Sequence, residues 1–198
     1  MYSEPSRRAV ESQSQSESRQ RAAVYGLLGR LWLAEIDQPF VDMLESDADF
    51  YQSIMDVGCD LSELGASEIL LELAEDYCQL FLGPANHLPP YQSVWMDGQF
   101  AGQHSVEMRK WCEIARVEPA TMEADQLGIQ LTVMARIVEA EQLEAEKVFF
   151  WQHLSWTRRL TETAAERAST AFYRSMTRMT AEYIETETKH FANVASVN

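Results

Sequence analysis

The fold turns on the stretch Glu75-Asp76-Tyr77-Cys78-Gln79-Leu80-Phe81-Leu82-Gly83-Pro84 and its continuation Pro89-Pro90-Tyr91-Gln92-Ser93-Val94-Trp95. Leu70, Leu73, Tyr77, Leu80 and Phe81 recur at spacings of three and four, which is one face of a helix opened by Ser67 or a neighbour. Gly83-Pro84 ends that helix. Residues 83–103 then carry Gly83, Pro84, Pro89, Pro90, Gly98 and Gly102, too punctuated for a helix and too long for a simple turn. A long ordered loop in a compact domain is a natural carrier of function.

Working outward, the helical period continues on both sides. Residues 1–20, rich in Ser and Gln, lack a hydrophobic period and read as a tail. From Arg21 the residues Val24, Leu27, Leu28, Leu31 and Trp32 form a stripe that runs to Asp37-Gln38-Pro39, where proline suits the first turn of a new helix. That second helix, near Pro39 to Glu45, carries Phe40, Val41 and Leu44, and one or two short helices are expected between Asp47 and Leu64 around Gly58. Past the loop, helix resumes near Ser105 with Met108, Trp111, Cys112 and Ala115 inward, and stops before Pro119. A hinge is expected over 118–126. Beyond Gly128 there is neither Gly nor Pro, and three helical stripes follow: Leu127, Leu131, Met134 and Val138; Val148, Trp151, Leu154 and Trp156; Phe172, Met176, Met179 and Tyr183. No period-2 strand and no fixed repeat stands out. The sequence therefore predicts an all-α, single compact multi-helix fold. Its parts are a tail 1–20, a helical part 21–117 with the loop 83–103, the hinge, a second helical part 127–190 and a tail 191–198.

With 198 residues, 46% of them apolar, the chain can bury a substantial core. Its net charge of −15 repels phosphate backbones and anionic headgroups, so neither nucleic acid nor a stable membrane association is expected. The same field attracts basic peptides. Cys59, Cys78 and Cys112 are an odd number without a C-x-x-C pair, as in a reducing compartment, and no apolar run is long enough to span a membrane. A cytoplasmic protein is expected. Ser6-Arg7-Arg8 looks like the start of a twin-arginine export signal, but Ala9-Val10-Glu11-Ser12-Gln13-Ser14 supplies no apolar segment after it.

Catalytic signatures are missing. The chain has no phosphate-binding Gly-x-x-x-x-Gly-Lys, no Gly-x-Gly-x-x-Gly, no Gly-x-Ser-x-Gly and no His-Glu-x-x-His. Glu187 and His190 form one Glu-x-x-His, but a di-iron bundle needs two such pairs and two more carboxylates. No catalytic residue, metal site or cofactor is assigned. Acidic residues crowd three regions: Glu35 to Asp49; Glu72, Glu75 and Asp76; and Glu139 to Glu146. They serve solubility, or else a groove that steers a cationic peptide.

The segments 75–84 and 89–95 together resemble the signature of the TorD/DmsD family of cytoplasmic chaperones for molybdoenzymes. Two further matches follow in order. Glu118-Pro119 through Asp125-Gln126-Leu127-Gly128 resembles the family's hinge motif, and Phe149-Phe150-Trp151-Gln152-His153-Leu154-Ser155-Trp156, with Phe172-Tyr173, resembles its C-terminal His-Leu-x-x-Trp helix. The matches span roughly residues 24 to 185. The resemblance implies an all-helical fold that binds the twin-arginine leader and apo form of a molybdenum-cofactor oxidoreductase and holds it until cofactor is inserted. It implies a monomer or a hinge-swapped homodimer. Gln126 stands where the family has histidine, which removes a titrating group but keeps a hydrogen-bonding side chain.

A leader is a basic segment followed by an apolar one, so its receptor needs carboxylates for guanidinium groups and an apolar groove. Tyr77, Leu80, Phe81, Pro90, Tyr91 and Trp95 are the candidates for the groove. Glu75, Asp76 and Asp125 are the candidates for charge, with Ser93 and Gln126 as polar contacts. Leu80 and Phe81 have the helical phase of core residues as well. An assembly factor of the NarJ type, for a molybdoenzyme that is not exported, is the nearest alternative. A helical-bundle metal-binding protein is the alternative of a different class.

Overall fold

The apolar stripes become helices in the computed structural model, which describes residues 7–48, 51–52, 55, 69–121 and 123–195. In chain order these include α1 (Arg7–Leu33), α2 (Gln38–Ser46), α3 (Ile69–Tyr77), α4 (Gln92–Met96) and α5 (Gln103–Ala115). They continue with α6 (Leu127–Glu139), α7 (Leu143–His153), α8 (Arg158–Arg167) and α9 (Ala171–Ala195). The all-α expectation holds. Among the described residues, the only β pairing is an isolated antiparallel bridge between Tyr91 and Gln126.

Three boundaries differ from expectation. α1 begins at Arg7 rather than Arg21, because Ala, Glu, Gln and Arg propagate a helix outward from the packed part even where residues 15–17 are exposed. α9 likewise runs to Ala195. The helix after Ser67 does not run regularly to Gly83, because it loosens into a π-helical turn over Cys78–Leu82. Most of the segment between Asp47 and Leu64 lies outside the described residues, and so does Ser67. Asp37 caps α2 as the sequence suggests, its side chain accepting from the Phe40 amide at 3.1 Å.

α1 and α6 form the central seam. Leu28, Leu31 and Trp32 from α1 and Leu127, Leu131, Met134 and Val138 from α6 are all fully buried in one core. The backbones meet closely: a Cβ on Gly128 would sit 2.7 Å from both the Gly29 carbonyl oxygen and the Leu33 amide nitrogen. Only glycine fits there. α9 runs antiparallel to α1, since Trp32 Nε1 donates to Thr180 Oγ1 at 2.9 Å and Tyr25 donates to Glu187 at 2.8 Å. Near its middle α1 is tied to α7 and α9 by Arg21, whose guanidinium reaches Glu146 at 2.9 Å and Glu187 at 2.6 Å. That pair occupies the one Glu-x-x-His carboxylate, and His190 is exposed beside Phe191. No cluster of three metal-binding side chains occurs among the described residues.

The breaks in the Gly- and Pro-free C-terminal part come from tertiary contacts. Trp156 donates to the His153 carbonyl at 2.9 Å and to Gln130 at 3.0 Å, turning the chain between α7 and α8. Asp76 sets the start of α9. Its carboxylate accepts from the Ser169 amide at 3.1 Å, the Thr170 amide at 2.9 Å and the Thr170 hydroxyl at 2.7 Å.

Candidate functional site: a loop clamped onto the start of a helix

The loop after Gly83 is held by the residues that lead into α6, through backbone and side chain together. The Gln92 amide donates to the Asp125 carbonyl at 3.1 Å, and the Leu127 amide donates to the Pro90 carbonyl at 2.8 Å. Asp125, fully buried, accepts from the Ser93 amide at 2.7 Å, so it caps α4 from the segment that leads into α6. Gln126 works in both directions. Its Nε2 donates to the Trp32 carbonyl at 2.7 Å while its Oε1 accepts from Ile129 at 3.2 Å, capping α6 and tying it to the end of α1. A neutral imidazole can also donate and accept at once, whereas an imidazolium can only donate. Glutamine at this position keeps the joint independent of pH.

Behind the clamp lies a buried polar relay. Gln92 Nε2 donates to the Gln152 carbonyl at 2.6 Å, and Gln92 Oε1 accepts from Gln130 at 2.7 Å and contacts His153 Nδ1 at 3.0 Å. With Gln92 Oε1 as acceptor, His153 carries its proton on Nδ1. Burial, reinforced by His104, pushes its pKa down to about 4. It is neutral at physiological pH. Three fully buried atoms around this relay lack a protein partner: Ser93 Oγ, Asp125 Oδ1 and His153 Nε2.

The sequence candidates separate into an inner and an outer set. Tyr77, Leu80 and Phe81 are buried, with Phe81 5.1 Å from Trp32 and 5.2 Å from Tyr77 between ring centroids. Tyr77 also donates to the Trp32 carbonyl at 3.4 Å. Asp76, Pro90, Ser93, Asp125 and Gln126 are buried as well, so the two aspartates offered as charge for a ligand are spent on helix starts. Glu75 is exposed.

The outer set is aromatic. Tyr91 meets Phe100 edge to face at 4.9 Å, and Trp95 donates to the Pro89 carbonyl at 2.8 Å while Arg159 of α8 lies over its ring. Met96 and Phe100 are 58% and 53% exposed, which leaves an apolar surface on a rigid base. Sequence reasoning missed Met96, Phe100, Gln92 and Gln130. Gln130 had a signal, because an amide sits at a core phase between Leu127 and Leu131. Phe100 had none, since loop residues have no period.

The likeness to known proteins agrees with the fold. A family model described as the nitrate reductase delta subunit matches residues 45–162. The chaperone protein TorD of Shewanella pealeana is 25% identical over 193 residues, covering 84% of this chain and 87% of its own. TorD of Aliivibrio salmonicida is 26% identical over 204 residues, covering 87% and 95%. A solved structure from Archaeoglobus fulgidus, proposed as a redox enzyme maturation protein, matches with a TM-score of 0.52 at 16% identity, over 84% of this chain and 93% of that one. That match is one of fold. The two named relatives are chaperone proteins.

Proposed function

The chain belongs to the nitrate reductase delta subunit family, and from that premise we propose that it is a maturation chaperone for a molybdenum-cofactor oxidoreductase. It binds the twin-arginine leader and the apo form of its client in the cytoplasm, assists cofactor insertion and delays export until folding is complete. The observation that carries this reading is the apolar surface made by exposed Met96 and Phe100 beside half-buried Tyr91 and Trp95, on a loop fixed by Asp125. A pre-ordered apolar surface spends little entropy when a peptide's apolar segment docks on it. The acidic surface steers the leader's basic end toward it. Among the described residues no helix is long and apolar enough to cross a membrane.

Calorimetric titration with synthetic leaders from a panel of molybdoenzymes, with twin-lysine controls, tests the reading. Saturable binding of about one leader per chain is expected for one client. Absence of binding across the panel overturns it. It would favour the second reading, assembly of a non-exported molybdoenzyme through a folded surface, which the family's description also suits. The clamp of loop on hinge is made within one chain here, and a hinge-swapped dimer would make the same bonds between two. Leader binding is proposed for the monomer.

A further inference from the structure

With Asp76 and Asp125 spent on helix starts, the guanidinium groups of a leader need other carboxylates. A trough between α8 and α9 offers them. It consists of two adjoining openings of about 390 Å³ and 280 Å³ that share Glu162, Ala181 and Glu182. The larger ends at Trp151, which is 44% exposed, and at Ile184, giving it an apolar wall. Ala165 and Ala181 keep the trough open because they have no bulk to fill it.

Its charge is arranged on two sides. Glu162 and Glu166 stand one helical turn apart on α8, and Glu182 and Glu185 stand one turn apart on α9. Arg158 and Arg178 also line it and Lys189 pairs with Glu185 beside it, so the four carboxylates exceed the neighbouring cations by one. Glu162 is held by Arg158 at 2.8 Å and Glu185 by Lys189 at 2.7 Å, but these are exposed pairs along single helices. Such pairs are weak and readily exchanged for a ligand's guanidinium. Consecutive side chains of an extended peptide point to opposite sides. Two adjacent arginines in the trough therefore address α8 with one guanidinium and α9 with the other.

We propose that this trough seats the paired arginines of the leader, Glu162 and Glu166 receiving one and Glu182 and Glu185 the other. The inference rests on the leader-binding reading above. The two surfaces are neighbours across the start of α8: Arg158 lines the trough, while Arg159 lies over Trp95 of the aromatic loop. A leader crossing that point places its arginines in the trough and its apolar segment on the loop. Carboxylates on both walls favour the planar forks of arginine over the point charge of lysine.

The test titrates the full chain with its best leader and a twin-lysine version. The four-site variant Glu162→Gln, Glu166→Gln, Glu182→Gln, Glu185→Gln is compared with a control in which the exposed Glu45, Glu139, Glu141 and Glu144 become Gln. Thermal unfolding establishes that both variants are folded. The expected result is at least a tenfold loss of affinity in the trough variant, loss of the preference for arginine over lysine, and a shallower salt dependence. The control should lose less than threefold and keep the preference. Equal loss in both variants would mean a diffuse field effect and would overturn the seat. Unchanged affinity in the trough variant would overturn it too, leaving leader binding intact. If the wild-type chain binds no leader, the leader reading itself fails and takes the seat with it. A photo-crosslinker placed beside the arginine pair gives an independent readout: crosslinks to α8 or α9 are expected, and crosslinks only to other helices would count against the trough.

Discussion

The clamp that holds the loop to the segment before α6 and the α8–α9 trough both use carboxylates, and they use them in opposite ways. In the clamp, Asp125 is fully buried and bound to a backbone amide, and Asp76 holds α9 by the same device. In the trough, Glu162 and Glu185 are more than half exposed and lean on neighbouring cations of their own helix. A buried carboxylate serving backbone amides is costly to remove and fixes geometry; an exposed one is cheap to remove and free to exchange partners. The sharpest motif residues thus build the platform, while the residues suited to meeting a basic ligand lie where no motif pointed.

The largest way to break the platform is at the seam beneath it. Gly128→Ala drives a methyl against backbone atoms of α1 on both sides, at 2.7 Å from the Gly29 carbonyl oxygen and the Leu33 amide nitrogen. Neither atom is the end of a flexible side chain. A loss of about 3 kcal/mol or more is expected, measured by urea unfolding. Retention of wild-type stability would show that α1 and α6 slide apart freely.

Next come the two buried aspartates. Asp76→Ala strands two amides and a hydroxyl at the start of α9 and should cost about 2–4 kcal/mol. Asp125→Ala removes one amide partner and an oxygen that has none, so its cost should be smaller, about 1–2 kcal/mol. The reverse order would mean that the unpaired Asp125 oxygen is satisfied in solution. If leader affinity falls in Asp125→Ala while α4 stays formed, the aspartate acts on ligand directly as well.

How much of this was legible in the sequence follows from what each signal depends on. Stripes such as Leu127, Leu131, Met134 and Val138 depend on local period alone, so the helices and the core could be read directly. The end of α7 and the start of α9 depend on Trp156 and on Asp76, the latter more than 90 residues away in sequence. Local pattern carries no trace of them. Asp76 and Asp125 looked like ligands for arginine because residue type and loop proximity are all that a sequence offers. Burial and amide partners exist only after folding. The trough is hidden for the same reason, since Glu162 and Glu182 belong to two ordinary solvated faces until α8 and α9 lie side by side.

A pH experiment separates the relay from the joint beside it. His153 has a folded pKa of about 4 against about 6.5 in the unfolded chain, so the unfolded state binds more protons between those values. Stability therefore falls as pH drops from 6.5 toward 4. The Tm of His153→Gln should fall less over that range, because the amide keeps a donor for Gln92 and does not titrate. Gln126→His should do the opposite. Its imidazole must accept from Ile129 while donating to Trp32, a task that protonation abolishes, so the variant should match wild type near pH 7.5 and lose extra stability below 6.5. A parallel fall in all three proteins would place the acid sensitivity elsewhere.

The smallest effect on stability should come with a clear effect on binding, at Phe100. The ring is 53% exposed and touches Tyr91 edge to face, so Phe100→Ser should shift the unfolding free energy by less than about 1 kcal/mol. Docking of a leader's apolar segment would cover that exposed area, and an aromatic contact covered on binding contributes on the order of 1–2 kcal/mol. Leader affinity should fall roughly tenfold, with no change in salt dependence, because no charge is removed. The trough variant should do the reverse, flattening the salt dependence with little change in apolar selectivity. Two independent losses, one sensitive to salt and one not, are what a leader bridging the two surfaces requires; if Phe100→Ser changes the salt dependence as the trough variant does, the loop and the trough are not separate subsites.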